Sequence, residues 1–276
     1  MGGDSEFRIV LKTMPELEGI FSGSDGTDAR SPTVVVFPHL AERGRRGETS
    51  QNPEKRIHDV PATFEKIFPG TSVRTISDLK GRELDYQDSN LFNFLRVSWK
   101  ELLACNIIVT HRNFLANEIL ARIDGLSAGN IPNAAVICLE VQRRGEPETK
   151  TIFFVRHCTS HHNAARRGSG SMTTCADVSS LRSIAEELAR RCGRQNTLYG
   201  SSILPRAVMS CIALQKKVSD EELERVRLAF QPDAKALPHE IASYQASHAC
   251  LNDSKSGSFC RGTKGTFILG SNRKFT

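Results

Sequence analysis

The sequence predicts an α/β protein with a mainly parallel sheet. Short runs rich in β-branched and aromatic residues, at 33–37, 106–110, 133–141, 152–155 and 197–201, have the length and composition of buried strands. Between them lie segments whose apolar residues recur at helical spacing. Several of the strand-like runs end abruptly in imidazole or charged side chains. In open α/β sheets that carboxyl edge is where ligands bind.

Residues 1–31 are mixed, and Ser22-Gly-Ser-Asp-Gly-Thr-Asp reads as a loop. The run Thr33-Val-Val-Val-Phe37 is a buried strand that stops at Pro38. Residues 43–87 carry turns, charges and three prolines, with a short helix around Phe64 to Phe68, and read either as a lid insertion or as a disordered surface loop. A helix follows from Asp88 or Ser89, with Leu91, Leu95 and Leu102 on one face. Asn106 to Thr110 is a strand that ends in His111. The next helix begins near Asn113, turns Phe114, Leu115, Ile119 and Ile123 inward and stops at Gly125. Asn133 to Val141 is another strand. A nine-residue polar connector, Gln142 to Lys150, leads into the run Ile152-Phe-Phe-Val155.

Asp177 caps a helix with Val178, Leu181, Ala185, Leu188 and Cys192 on one face, ended by Gly193. Thr197 to Ser201 is a short strand. The segment Ser202-Ile-Leu-Pro-Arg206-Ala207 opens a helix through Cys211 and Leu214, and Ser219-Asp-Glu-Glu222 is a capping box for one more, through Phe230. Residues 232–276 are irregular apart from a last strand at 266–269. No internal repeat is visible, and a single domain is expected, its core at 33–217.

With 25% charged and 39% hydrophobic residues the chain is globular rather than disordered. The longest apolar runs reach only strand length, so no membrane span is expected. No basic region followed by an apolar stretch opens the chain, so a secretory leader is not expected either. The eight cysteines contain no CxxC pair and fall mostly in apolar patterns, which suits buried, reduced thiols and a cytoplasmic protein. A net charge of +6 suits nucleic acid, acidic membrane surfaces or anionic small molecules. The arginine clusters at 43–46, 143–144 and 166–167 lack interleaved aromatic residues, which favours a phosphorylated substrate over nucleic acid.

The centre of the chain is Thr151 to Asn163, where the strand Ile152 to Val155 delivers Arg156 and His157 to the sheet edge. The neighbouring Cys158, His161 and His162 raise a zinc reading, but their spacing fits no common site. A Cys-His hydrolase built on Cys158 lacks any implied general base.

Arg156, His157, Ser160 and Asn163 resemble the nucleophile motif of the histidine phosphatase superfamily, phosphoglycerate-mutase-like branch: Arg-His-Gly, one residue, then Ser or Thr-x-x-Asn. Cys158 stands in place of the glycine. Ser202-Ile-Leu-Pro-Arg206-Ala207 is similar to the family's Ser-x-Leu-x-Arg-Ala, which supplies a second phosphate-binding arginine. Thr110-His111-Arg112 resembles its second histidine motif, with Arg112 replacing a glycine, and Leu40-Ala-Glu42 its proton-donor element. The family's order is nucleophile, second arginine, acid, second histidine, last strand. Here the acid, second histidine and last strand precede the nucleophile, which implies a circular permutation with the old termini fused through Gln142 to Lys150.

The resemblance implies a three-layer α/β/α sandwich in permuted strand order, and a phosphomonoester hydrolase working through phospho-His157. It implies catalytic roles for His157, Glu42 and His111 and phosphate binding by Arg156, Arg206, Asn163 and His111, with Glu48 as the reserve acid. A guanidinium offers fixed, paired donors to a transferring phosphoryl group, and one carboxylate can first protonate the leaving oxygen and then deprotonate water. No metal or cofactor is implied. The expected partner is a phosphorylated small molecule or phosphoprotein; no membrane partner is expected, and oligomeric state, including a homodimer, stays open. The alternatives are a phosphoglycerate-type mutase, a catalytically silent phospho-ligand or protein-binding module, and, third, a nucleic-acid binder.

Overall fold

The computed structural model describes residues 6–12, 32–40, 53–76, 91–122, 131–161, 174–192 and 198–230. The expected runs become strands β2 (Thr33–Phe37), β4 (Cys105–Thr110), β5 (Val136–Arg143), β6 (Thr149–Arg156) and β9 (Leu198–Ser202), and β1 (Phe7–Lys12) and β3 (Ser72–Thr75) join them. They form one sheet in the order β1-β5-β6-β4-β9-β2-β3. The five strands from β6 to β3 are mutually parallel, while β5 runs antiparallel to both β6 and β1. The short strands β7 (Thr159–Ser160) and β8 (Cys175–Asp177) pair separately.

Alternation along the strands sorts their side chains into two cores. On one face Val34, Val36, Ile107, Val109, Phe153 and Val155 join residues of helices α1 (Pro53–Ile67), α3 (Ser180–Cys192), α4 (Pro205–Gln215) and α5 (Asp220–Phe230). On the other, Val35, Phe37, Ile108, Ile152 and Phe154 pack with helix α2 (Leu91–Leu102) and the π-helical segment Phe114–Ile119. This is an α/β fold with a mostly parallel mixed sheet, and its layering is compatible with a three-layer sandwich. Phe37, Phe153 and Phe154 are fully buried, each contributing roughly 1.5–3 kcal/mol of transfer free energy. Phe94 of α2 stacks edge-on against Phe37, Phe114 and Phe154, with ring centroids 5.4, 6.0 and 6.2 Å away. These contacts hold the segment that follows His111 against the sheet.

Local signals hold where their chemistry is self-contained. Ser219 and Glu222 form the reciprocal capping box, the Ser219 N–H donating to Glu222 Oε2 at 2.9 Å and the Glu222 N–H to Ser219 Oγ at 3.2 Å. Asp177 accepts from the Ser179 N–H at 2.8 Å just ahead of α3. Leu91, Leu95 and Leu102 are all buried along α2.

Other expectations need correction. Within the stretch 1–31 expected to be mixed, residues 7–12 are an edge strand paired along β5. Within 43–87, the stretch read as a lid or a surface loop, residues 53–76 are the fifteen-residue helix α1 and the edge strand β3. Val60, Phe64 and Phe68 follow one helical stripe into the core, so this part belongs to the scaffold. The polar connector 142–150 is shorter than expected: β5 runs to Arg143 and β6 starts at Thr149, making a hairpin between neighbouring strands. After His111 the chain forms a π-helical and then a 3-10 turn, not a regular α-helix. The expected strand at 266–269 and the rest of 231–276 lie outside the described residues. Among the described residues no helix is long and apolar enough to cross a membrane.

Candidate active site

Three adjacent parallel strands end at one edge of the sheet, and each delivers part of a basic cluster. Strand β6 ends in Arg156 and His157, its neighbour β4 in Thr110 and His111, and β9 in Ser202, from which the two-residue turn Ile203-Leu204 leads to Arg206 in the first turn of α4. Pro205 at the start of α4 has its φ set in advance and lacks an N–H that would go unbonded there. The His157 N–H donates to the Thr110 carbonyl at 2.9 Å, which ties the ends of β6 and β4. His111, Arg156, His157 and Arg206 are all buried.

Hydrogen bonding fixes the state of His157. Its Nδ1 lies 2.7 Å from the Cys158 carbonyl, an acceptor only, so Nδ1 carries the proton and Nε2 a lone pair. The Arg206 Nε–H donates to that Nε2 at 3.2 Å. The pKa of His157 is held well below its ordinary value, first by burial, then by the charges of Arg206 and Arg156, against which the bond to the Cys158 carbonyl works. The ring is therefore neutral at pH 7, with a basic nitrogen facing a guanidinium.

Arg156 is anchored through Nη1 to the Ile131 carbonyl. The loop that supplies this acceptor is itself pinned: the Ala134 N–H donates to the carbonyls of Arg156 and His157 at 3.1 and 3.3 Å. Ala134 adopts a φ of 60°, a left-handed conformation that an alanine reaches only under constraint. Next to it, Asn133 donates from Nδ2 to Thr159 Oγ1 at 3.1 Å, while its Oδ1 is buried with no partner among the described residues. Thr110 Oγ1 and Ser202 Oγ, at the ends of β4 and β9, are likewise buried and unpartnered. All three are polar atoms that a ligand at this edge could engage.

His111 joins the cluster, but its proton is directed elsewhere than expected of a hydrogen-bond donor to a phosphoryl group. Its Nδ1 accepts the Phe114 N–H at 3.4 Å, which leaves the proton on Nε2, directed to the Leu40 carbonyl at 2.9 Å. Glu42, Glu48, Asn163 and His162 lie outside the described residues. Arg112 is exposed. Ser160 is buried on β7.

The expectation that the cysteines are all reduced is corrected: Cys158 and Cys175 are joined as a disulfide, their Cα atoms 6.3 Å apart. Spacing could not announce a bond between residues brought together by β7 and β8. Cys105, Cys138 and Cys211 remain buried thiols, and burial pushes Cys105 up to about 12. Two further residues escaped the sequence reading. Ala134 carries no signal for its backbone conformation, and Ser210 shows only as a hydroxyl four residues beyond Arg206.

No family model, no curated protein and no solved structure matches this chain.

Proposed function

We propose that the chain is a metal-independent phosphomonoester hydrolase that works through a phosphohistidine on His157. The observation that carries this reading is the neutral His157, its Nε2 lone pair facing Arg206 while Nδ1–H is held by a carbonyl. In the first step Nε2 attacks phosphorus, the ester P–O bond breaks, and the leaving oxygen takes a proton from an acid, for which Glu42 is the candidate. The ring then carries positive charge, and the Nδ1–H bond to the Cys158 carbonyl strengthens. Arg206 and Arg156 neutralise the equatorial oxygens. Water next attacks phosphorus, losing its proton to the carboxylate left by the first step, the P–N bond breaks, and the electron pair returns to Nε2.

The finer fold reading, a phosphoglycerate-mutase-like sandwich in circularly permuted order, draws support from the sheet. The nucleophile strand, the second-histidine strand and the strand leading to the second arginine are neighbours in space although the chain visits them as β4, β6, β9. The inferred fusion needs only the hairpin turn between β5 and β6.

A second reading, a silent phospho-ligand module, is favoured by the His111 proton being directed to Leu40 rather than into the cluster. The discriminating experiment is hydrolysis of a phosphomonoester panel with a chelator present, by the native protein and by His157→Ala. Chelator-resistant turnover absent from the variant supports the hydrolase. Phosphate binding without turnover in either protein sinks it in favour of the silent module. Phosphoryl transfer between phosphoglycerate isomers would mark the mutase.

A further inference from the structure

We propose that Ser210 is a positioning residue that selects the tautomer of His157 by pinning the Cys158 backbone. This rests on the nucleophile reading of His157 given above.

Ser210 lies on α4 one turn beyond Arg206 and is fully buried. Its hydroxyl donates to the Arg206 carbonyl at 2.7 Å. With its proton so directed, Oγ has only lone pairs left for other groups, and it accepts the Cys158 N–H at 2.9 Å. The peptide between His157 and Cys158 is planar, and it is gripped on both edges: the His157 carbonyl by the Ala134 N–H at 3.3 Å, the Cys158 N–H by Ser210. The Cys158 side chain is fixed in turn by its disulfide to Cys175, whose sulfur lies 3.6 Å from Ser210 Oγ.

The carbonyl of Cys158, one residue on from that fixed peptide, is thereby aimed at His157 Nδ1. A carbonyl accepts and never donates, so it admits only the tautomer with the proton on Nδ1. The other tautomer would set an N–H on Nε2 against the Arg206 Nε–H, two donors face to face, and would leave no lone pair to attack phosphorus. Ser210 also fastens the backbone of Arg206, so one hydroxyl ties the loop after the nucleophile to the helix that carries its guanidinium partner.

The test compares the full-length wild type with Ser210→Ala, Ser210→Cys and Ser210→Thr. Nitrogen-15 imidazole spectra report the tautomer of His157, assigned by its loss in His157→Gln, and p-nitrophenyl phosphate kinetics report kcat and KM. The wild type and Ser210→Thr, which keeps the hydroxyl, are expected to hold His157 in the Nδ1–H form. Ser210→Ala and Ser210→Cys, whose thiol is a weak acceptor, should show a tautomer mixture and a kcat lower by about tenfold to a hundredfold with little change in KM. A wild-type His157 spectrum in a folded Ala or Cys variant overturns the proposal. So does a Thr variant that loses the Nδ1–H form as fully as Ala. If the Ala variant does not fold, the Cys variant, closer in volume, decides. Should the wild type turn nothing over, the hydrolase reading fails alone, because the spectra still decide the role of Ser210.

Discussion

Arg206 Nε stands 3.2 Å from His157 Nε2, a guanidinium donor on the lone pair of a neutral, buried imidazole. The two residues come from a helix and a strand end 49 positions apart in the chain. Their contact favours an unprotonated Nε2, and under the proposed function a phosphoryl group would bind beside that nitrogen and the guanidinium.

Replacing Arg206 should therefore act on both binding and titration. Arg206→Lys keeps the charge but loses the planar fork, and kcat/KM is expected to fall by about 10²–10³, the usual effect of removing one preorganised donor. Because Arg206 helps to depress the His157 pKa, the acid limb of the pH profile should move upward in Arg206→Met. Steady-state kinetics from pH 4.5 to 8 check both, and an unmoved limb would separate Arg206 from the nucleophile.

His157 also gives stability a pH dependence. Its folded-state pKa lies below the ordinary 6.5, so below that pH the unfolded chain binds the extra proton and the native ring does not. This contribution is complete above pH 6.5 and is lost as the pH falls, by up to about 1.4 kcal/mol per pH unit from this one group. Urea unfolding at pH 7.5 and 5.5 should show the loss, and His157→Gln should flatten it.

The disulfide spans 17 positions, a loop whose closure restricts the unfolded chain by about 3 kcal/mol. Dithiothreitol is expected to lower the stability of the wild type by roughly that amount and to leave Cys175→Ser unaffected. Denaturation with and without reductant, with mass analysis of alkylated thiols, makes the comparison.

Gly200 of β9 is a packing requirement. A Cβ there would collide with the ends of Ile108 and Phe37 from the flanking strands β4 and β2. Gly200→Ala should cost about 1–3 kcal/mol by overpacking. Calorimetry would show a lowered Tm, and an unchanged value would mean that the two side chains give way.

The Ser219–Glu222 box is local and exposed. Ser219→Ala should cost about 1 kcal/mol in urea unfolding, with no effect at the distant basic cluster.

The strands ending at Thr110 and Arg156 are legible because parallel strands buried on both faces are continuous β-branched and aromatic runs. Strand β1 alternates buried and half-exposed residues along Phe-Arg-Ile-Val-Leu-Lys, a pattern too short to stand out without its partner β5. Only the end of helix α1, around Phe64, is legible, because Pro61 lies inside the helix. Proline opposes a helix interior, and here the burial of Val60, Phe64 and Phe68 outweighs that preference.

At the cluster itself, the amino-acid order alone determined which side chains arrive at strand ends, Arg156, His157 and His111, and which opens the following helix, Arg206. Types and spacing set this, since a strand run and its terminating residue are covalent neighbours. Only the tertiary structure decided that β6, β4 and β9 lie side by side and that Arg206 donates to Nε2. It likewise decided that the His111 proton goes to Leu40, that Cys158 bonds to Cys175, and that Ser210 reaches the Cys158 N–H. Strand order and hydrogen-bond direction depend on contacts between residues far apart in the chain, and no local pattern encodes those.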